Sequence, residues 1–300
     1  AIEVPEGPDK AFAAVFPPEQ KPAGPFTPFV VKGKSFTWTP VTVADPKGLY
    51  PLDMPASSVV YLTTTVTAPA AESAQLAAGS DDGLQIWLNG KSVLSKNVDR
   101  GLIADKNKQI VSLQSGANVL LLKVDNHGDG SGVQARLRMR VGEFAPDEIL
   151  GPADKAKINI ARGKELFTNT LGCMKCHTID PHAERKGPFL GDVGGKFDAK
   201  YIVESILRPS AKIAQGFATE RIITRPAAGA SAGDYVGFIT RETADEIAIG
   251  DATGKVTVIK KSDIAKQMQL AGSIMPQGLA DNLSLDDFGS LLKFLESMKK

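Results

Sequence analysis

Cysteine is nearly absent from this chain. There are two in 300 residues, alongside three histidines, two tryptophans and four tyrosines. Two cysteines cannot build the disulfide framework of a small secreted domain. An excess of charge of one sign is missing as well: 35 basic and 34 acidic residues give a net charge of +1, which leaves no global electrostatic footprint for nucleic acid. No apolar run approaches the roughly 20 residues of a membrane-spanning helix. A charged-then-apolar segment of secretory type is also lacking at the N-terminus, so Ala1 reads as the start of a mature or trimmed chain. The chain is 42% hydrophobic, which is incompatible with wholesale disorder, and its length suggests two domains.

What little cysteine there is lies in one pentapeptide, Cys173-Met174-Lys175-Cys176-His177. A C-x-x-C-H run reads as a site of covalent haem attachment: two thiols three residues apart add to the two vinyl groups of one haem c, and the adjacent histidine reaches the iron. Two other readings compete. Cys173, Cys176, His177 and His182 form a zinc set in composition, but Cys176 and His177 are adjacent and would share one tetrahedron without the usual spacer. A thioredoxin-like pair needs a strand before the motif and a helix starting at it, whereas a helical pattern precedes this one.

Taken in order, residues 1–35 are rich in proline (Pro5, Pro8, Pro17, Pro18, Pro22, Pro25, Pro28) and predict an extended arm laid over a domain surface. Residues 36–143 carry strand patterns. Val60, Leu62, Val66 and Ala68 alternate with Tyr61, Thr63, Thr65 and Thr67; Gln85–Leu88 and Lys91–Leu94 flank Asn89-Gly90, a type I′ hairpin signal; Val133 to Val141 alternate with Gln134, Arg136, Arg138 and Arg140. Many short strands without helical period predict an all-β sandwich. The run from Gly79 to Lys91, S-D-D-G then an apolar stretch then N-G-K, resembles jelly-roll modules of the protective-antigen and galactose-binding-like types. That resemblance covers about residues 36 to 141 and implies fold more than ligand, although such modules are often carbohydrate-binding.

Within the sandwich, Leu84, Ile86 and Leu88 share one strand face, which puts Gln85, Trp87 and Asn89 on the other. An outward Trp87 beside two amides is a candidate sugar platform, with burial under a neighbouring loop the competing reading. Arg136, Arg138 and Arg140 form a candidate basic stripe for an anionic polymer or for the second domain. Asp125 to Gly132 looks like the start of a calcium loop, but His127 and Arg136 occupy positions where oxygen ligands are needed, so an EF-hand is excluded and a glycine-rich turn is preferred.

Residues 144–153, with Pro146 and Pro152, read as a linker. The second domain then spans 154–300. Ala156, Ile160, Gly163 and Phe167 predict a helix into the cysteine motif, and Ser284 caps a last helix whose apolar face is Leu285, Phe288, Leu292, Leu295 and Met298. Gly163 would let the two cross closely.

Terminal helices bracketing C-x-x-C-H resemble the class I c-type cytochromes. Gly187-Pro188-Phe189-Leu190 matches the G-P-x-L loop of that class, and Ser273-Ile274-Met275-Pro276 its S-x-M-P segment. The resemblance implies that the Pro188 carbonyl orients His177 and that Met275 is the sixth iron ligand. Short alternating segments between about 219 and 260 depart from a small monohaem cytochrome and look like the β insertion of the haem-binding domain family of planctomycetes and verrucomicrobia. The expected fold is therefore multidomain: an N-terminal jelly roll, then a mainly α cytochrome c domain with a small β insertion.

The expected function is a periplasmic or otherwise exported monohaem cytochrome c, an electron-transport protein rather than an enzyme. It would exchange electrons with redox partners such as a periplasmic dehydrogenase, an oxidase or another cytochrome. His177 and Met275 would hold the iron and Cys173 and Cys176 the haem. The alternatives are a carbohydrate-binding protein with an accessory haem domain, its partner a polysaccharide, and a haem enzyme or sensor with an open distal site.

Overall fold

A computed structural model describes every residue except 129, 151–154, 184–186, 227–230 and 300. The chain separates into two compact units, Ala1–Met139 and Arg140–Lys300.

The first unit begins with β1 (Ile2–Glu3), α1 (Pro8–Ala13), α2 (Pro17–Gln20) and the hairpin β2 (Phe29–Val31) to β3 (Lys34–Phe36). Pro8 and Pro17 each open a short helix, where a missing N–H costs nothing. The arm is thus folded and not merely extended. The sandwich follows: β4 (Leu49–Pro51), β5 (Ser58–Ala68), β6 (Glu72–Ser80), β7 (Leu84–Leu88), β8 (Lys91–Lys96), β9 (Asn107–Leu113), β10 (Gly116–Asn126) and β11 (Gly132–Arg138). One antiparallel sheet has the order β1-β5-β10-β7-β8 and the other β4-β11-β6-β9. Leu84, Ile86, Leu88, Leu120, Leu122 and Val124 from the first sheet meet Ala74, Leu76, Ala78, Val111, Leu113 and Val133 from the second in one core. Period-two alternation produces this, since each strand buries every second residue.

Both outer faces are partly covered, so the sandwich is less wet than alternation suggests. The arm packs Ile2, Val4, Ala11 and Phe16 on Val59 of the first sheet. Residues 97–106 lie over the second, where a side chain at Gly79 would meet the Ile103 carbonyl 2.0 Å away. The expected arginine stripe is consumed by this covering: Arg136 pairs with Asp105, and buried Arg138 bonds Gln75.

The second unit contains α3 (Ile160–Glu165), α4 (Val193–Lys196), α5 (Ala199–Leu207), then β12 (Glu220–Thr224), β13 (Asp234–Glu242), β14 (Glu246–Gly250), β15 (Val256–Lys260), β16 (Ile264–Gln269), and finally α6 (Leu285–Ser297). The five strands form an antiparallel sheet of order β15-β14-β13-β12-β16 with its own core of Ile222, Ile247, Ile249 and Ile259. Here the fold expectation is corrected. The chain is 35% strand and 20% helix, and among the described residues the longest helix, α6, has 13 residues. A mainly α cytochrome c fold with a small β insertion does not describe this unit. The β-branched runs between Arg221 and Ile264 pair with one another into a full sheet, and the helices stay short.

The boundary also differs from the expected linker over 144–153. Val141, Phe144 and Ile149 are buried with Leu166, Phe167, Leu285 and Phe288 in the helical core of the second unit, while residues 151–153 lie outside the described set. Asn159 caps α3 by accepting from Ala161 and Arg162 N–H groups, and Ser284 caps α6 by accepting from Asp287. The two helices approach closely at Gly163, where a Cβ would lie 2.0 Å from the Ser290 carbonyl oxygen. The buried face of α6 is Leu285, Phe288, Leu291, Phe294 and Leu295, rotated from the one expected so that Phe294 meets Phe167, the rings tilted at 52° with centroids 5.6 Å apart.

Candidate functional site

Three turns of the sandwich converge at the end of β6. The Ser80-Asp81-Asp82-Gly83 turn puts Asp82 at φ 65°, a left-handed conformation that aspartate tolerates. Both oxygens of Asp82 accept backbone N–H groups: Oδ1 from Arg100 at 3.0 Å and Oδ2 from His127 at 2.6 Å. Asp82 therefore ties the 97–106 and 125–131 segments to one point. Asp125, fully buried, accepts or shares a hydrogen with His127 Nε2 at 2.8 Å through Oδ2, while its Oδ1 is buried without a partner. Burial raises the Asp125 carboxyl above its ordinary range, against the pull of His127. Asp81 is raised too, by burial first and then by the charges of Asp82 and Asp99.

One oxygen each of Asp82 and Asp99 and one ring nitrogen of His127 lie within 4.8 Å of one another. This is the one such group of three among the described residues. The 125–132 segment itself folds as a turn: Asn126 Nδ2 donates to the Met54 carbonyl and its Oδ1 accepts from Gly128 N–H, so it is not a calcium loop in itself. Asp129 lies outside the described residues. In the sequence Asp82 stands out only as part of the S-D-D-G run, and Asp99 belongs to no motif and joins the others through the fold alone.

The other candidate face is more constrained. Gln85 and Trp87 are half-buried on β7, in register with Lys123 and Leu121 of β10. Asn89, at φ 49° beside Gly90 at φ 84°, forms the expected type I′ turn. Its amide is committed to it: Oδ1 accepts from Val119 N–H at 2.8 Å and Nδ2 donates to Asn118 at 2.9 Å. On the same face Gln85 Nε2 donates to Ser95 Oγ at 3.4 Å and its Oε1 is buried, so half-buried Trp87 is the side chain this face chiefly presents.

In the second unit the C-x-x-C-H residues follow α3 and a π-helical turn over Leu166–Thr170. Cys173–Lys175 is a single 3-10 turn after Gly172 at φ 69°. Cys173 and Cys176 are half-buried and not joined in a disulfide, and burial pushes the Cys173 thiol up to about 11. Cys176 Sγ lies 4.0 Å from the Ala252 carbonyl of the β14–β15 turn. His177 Nδ1 is 2.9 Å from the Pro188 carbonyl oxygen. A carbonyl accepts only, so Nδ1 carries the proton and Nε2 keeps a lone pair. Burial lowers the His177 pKa from 6.5, against the pull of that bond, so the neutral ring is favoured. Met275 is half-buried, its N–H held by Ser273 Oγ at 3.1 Å, and His182 is exposed. Cys173, Cys176 and His177 do not bring their ligand atoms within the 4.8 Å found for the acidic group, so they form no ready zinc tetrahedron.

No protein-family model matches the chain, and no curated protein does. Among solved structures it is similar to the PA14 domain of the MpAFP antifreeze protein, at 18% identity over 26% of this chain and 42% of that one, with a TM-score of 0.24. It is also similar to a PA14 sugar-binding domain from an RTX adhesin, at 23% identity over 28% of this chain and 49% of that one, TM-score 0.24. A third, a GH26-CBM35 mannanase from Podospora anserina, is 11% identical over 41% of this chain and 32% of that one, TM-score 0.19. The chain thus spans less than half of each.

The β-rich fold, 35% strand and 20% helix with no helix of more than 13 residues among the described ones, overturns the expected membership in the class I cytochrome c family of the planctomycete and verrucomicrobial haem-binding type. Haem c, expected from the pentapeptide at 173–177, and the haem iron and electron transport expected with it are withdrawn on the same ground. The pentapeptide at 173–177 remains a local feature of the sequence. No helix among the described residues is long and apolar enough to cross a membrane.

Proposed function

We propose that the first unit is a carbohydrate-binding module whose ligand site is the acidic end of the sandwich. The observation that carries this is the convergence of Asp82, Asp99 and His127 within 4.8 Å, backed by the buried, unpartnered Oδ1 of Asp125. Carboxylate oxygens accept from vicinal sugar hydroxyls, and a ring nitrogen completes the set, the few well-placed polar groups such a site needs. Asp82 positions the loops by accepting one backbone N–H on each oxygen and keeps further lone pairs for a ligand. Exposed Asp99 and half-buried His127 face the ligand. Half-buried Trp87 forms a separate, weaker surface for a polysaccharide chain.

A glycan array run in calcium and again in chelator tests the reading. Binding that is lost in Asp99→Asn and His127→Ala supports it, and loss in chelator assigns a cation to the same residues. No binding to neutral, acidic or sulfated glycans in either condition refutes it.

A further inference from the structure

The acidic end of the sandwich offers acceptors and almost no donors. Asp81, Asp82 and Asp99 present carboxylate oxygens, which only accept when ionised, and among the described residues none of the three is in an ion pair. The donors that reach Asp81 and Asp82 are backbone groups spent in place: Arg100 and His127 N–H on Asp82, and Leu102 N–H on Asp81. The Arg100 guanidinium turns to Ser80, with Nε 3.3 Å from its carbonyl oxygen and Nη2 3.2 Å from its Oγ. His127 Nε2 lies 2.8 Å from Asp125 Oδ2. When that carboxylate is ionised it can only accept, so the ring carries its proton on Nε2 and keeps a lone pair on Nδ1.

Two observations show that this set lacks a positive charge. Asp81 is raised by burial first and then by the charges of Asp82 and Asp99, as happens when carboxylates gather without a counter-ion. Asp125 is fully buried, and its unpartnered Oδ1 is directed at the Ser80–Gly83 turn that carries Asp81 and Asp82, 2.0 Å from the place of a Cβ on Gly83.

A sugar hydroxyl can give this set its one proton, but its own lone pairs find no donor, and a sulfate, a uronate or an acetamido carbonyl fares worse. An ammonium has three donors and no acceptor. A tetrahedral nitrogen making bonds of about 2.8 Å holds its acceptors about 4.6 Å apart. One oxygen each of Asp82 and Asp99 and a ring nitrogen of His127 lie within 4.8 Å of one another. We propose that the ligand of this site is an amino sugar with a free ammonium, a glucosamine unit of a de-N-acetylated polysaccharide, its ammonium donating to Asp82, Asp99 and His127. The proposal rests on the carbohydrate reading above and gives it a substrate class. Charge-assisted bonds to two carboxylates are about twice as strong as neutral ones, so the same ring with its nitrogen acetylated binds more weakly.

Titration calorimetry of the full chain in chelator compares a glucosamine hexamer with an N-acetylglucosamine hexamer. The glucosamine hexamer should bind about tenfold more tightly or better. Asp99→Asn and Asp81→Asn should each weaken it about tenfold, whereas Glu6→Gln, which removes an exposed charge of the arm, should leave it unchanged. Should either site variant lower the melting temperature, the comparison of the two hexamers on the wild-type chain decides. Equal affinity for both hexamers overturns the amino-sugar assignment and leaves the carbohydrate reading standing. Glucosamine binding that falls as much in Glu6→Gln as in Asp99→Asn is diffuse attraction and overturns it too. Binding that appears only in calcium assigns the missing charge to a metal ion, with the same consequence, and a chain that binds no glycan in either condition overturns both readings.

Discussion

Replacing Lys123 with methionine should detach the N-terminal arm from the sandwich. Lys123 is 1% exposed, on the outward face of the central strand β10. Its ammonium donates to the Phe12 carbonyl at 2.8 Å and the Ala14 carbonyl at 2.5 Å, and it lies 3.0 Å from Glu19 Oε1. The Phe16 ring lies 5.7 Å away, and Tyr61 OH donates to the same Glu19 oxygen. Burial, then that carboxylate, push the Tyr61 phenol far up, so it remains a donor. Burial pulls Lys123 below 10.5 while Glu19 opposes the shift: a desolvated charge held by its partners. Methionine preserves the stem but strands a buried carboxylate and two carbonyls, and breaking a buried pair in this way costs about 3–5 kcal/mol. For a unit of this size that is a fall in melting temperature of roughly 10 °C. Calorimetry measures it, and hydrogen exchange locates it, with residues 1–36 losing protection before β10. The double variant with Glu19→Gln should recover part of the loss, with a coupling of about 1 kcal/mol or more. A loss below about 1 kcal/mol, or zero coupling, would refute the claim that this lysine anchors the arm.

Gly163→Ala drives a Cβ to 2.0 Å from the Ser290 carbonyl and should separate α3 from α6, costing the second unit about 3 kcal/mol by overpacking in a denaturant melt that leaves the sandwich transition in place. Burial raises the Asp105 carboxyl, but the bond and charge of Arg136, with the Gln134 bond and the charge of Arg138, together outweigh it and hold the group below 3.8. The stability it confers is present above pH 3.8 and is lost as pH falls through the depressed folded-state value, so Asp105→Asn should flatten the acid limb of the first unit's stability curve. Asn89→Ala removes two bonds that lock the hairpin to β10 and should cost about 1–3 kcal/mol, read as a lower midpoint at unchanged m-value.

The amino-acid sequence by itself determined the sandwich. Period-two alternation in β5, β7 and β11 and the Asn89-Gly90 turn are local signals, and each strand needs nothing beyond its neighbours to express them. The same holds for the caps at Asn159 and Ser284 and for Gly163, since a glycine in an amphipathic pattern foretells close approach. Other features were decided by tertiary structure. Nothing local told Lys123 that its ammonium would lie under α1, or Arg138 that residues 97–106 would cover it, because burial of a charge depends on segments far away in sequence. The family likeness misdirected the second unit for a related reason: motif residues report short-range geometry, such as the His177 to Pro188 contact, whereas the balance of sheet and helix is set by how the β12–β16 strands find one another. The acidic cluster was illegible for the same cause, as Asp82, Asp99 and His127 come from three turns that meet only when β6, β10 and the intervening loop have packed.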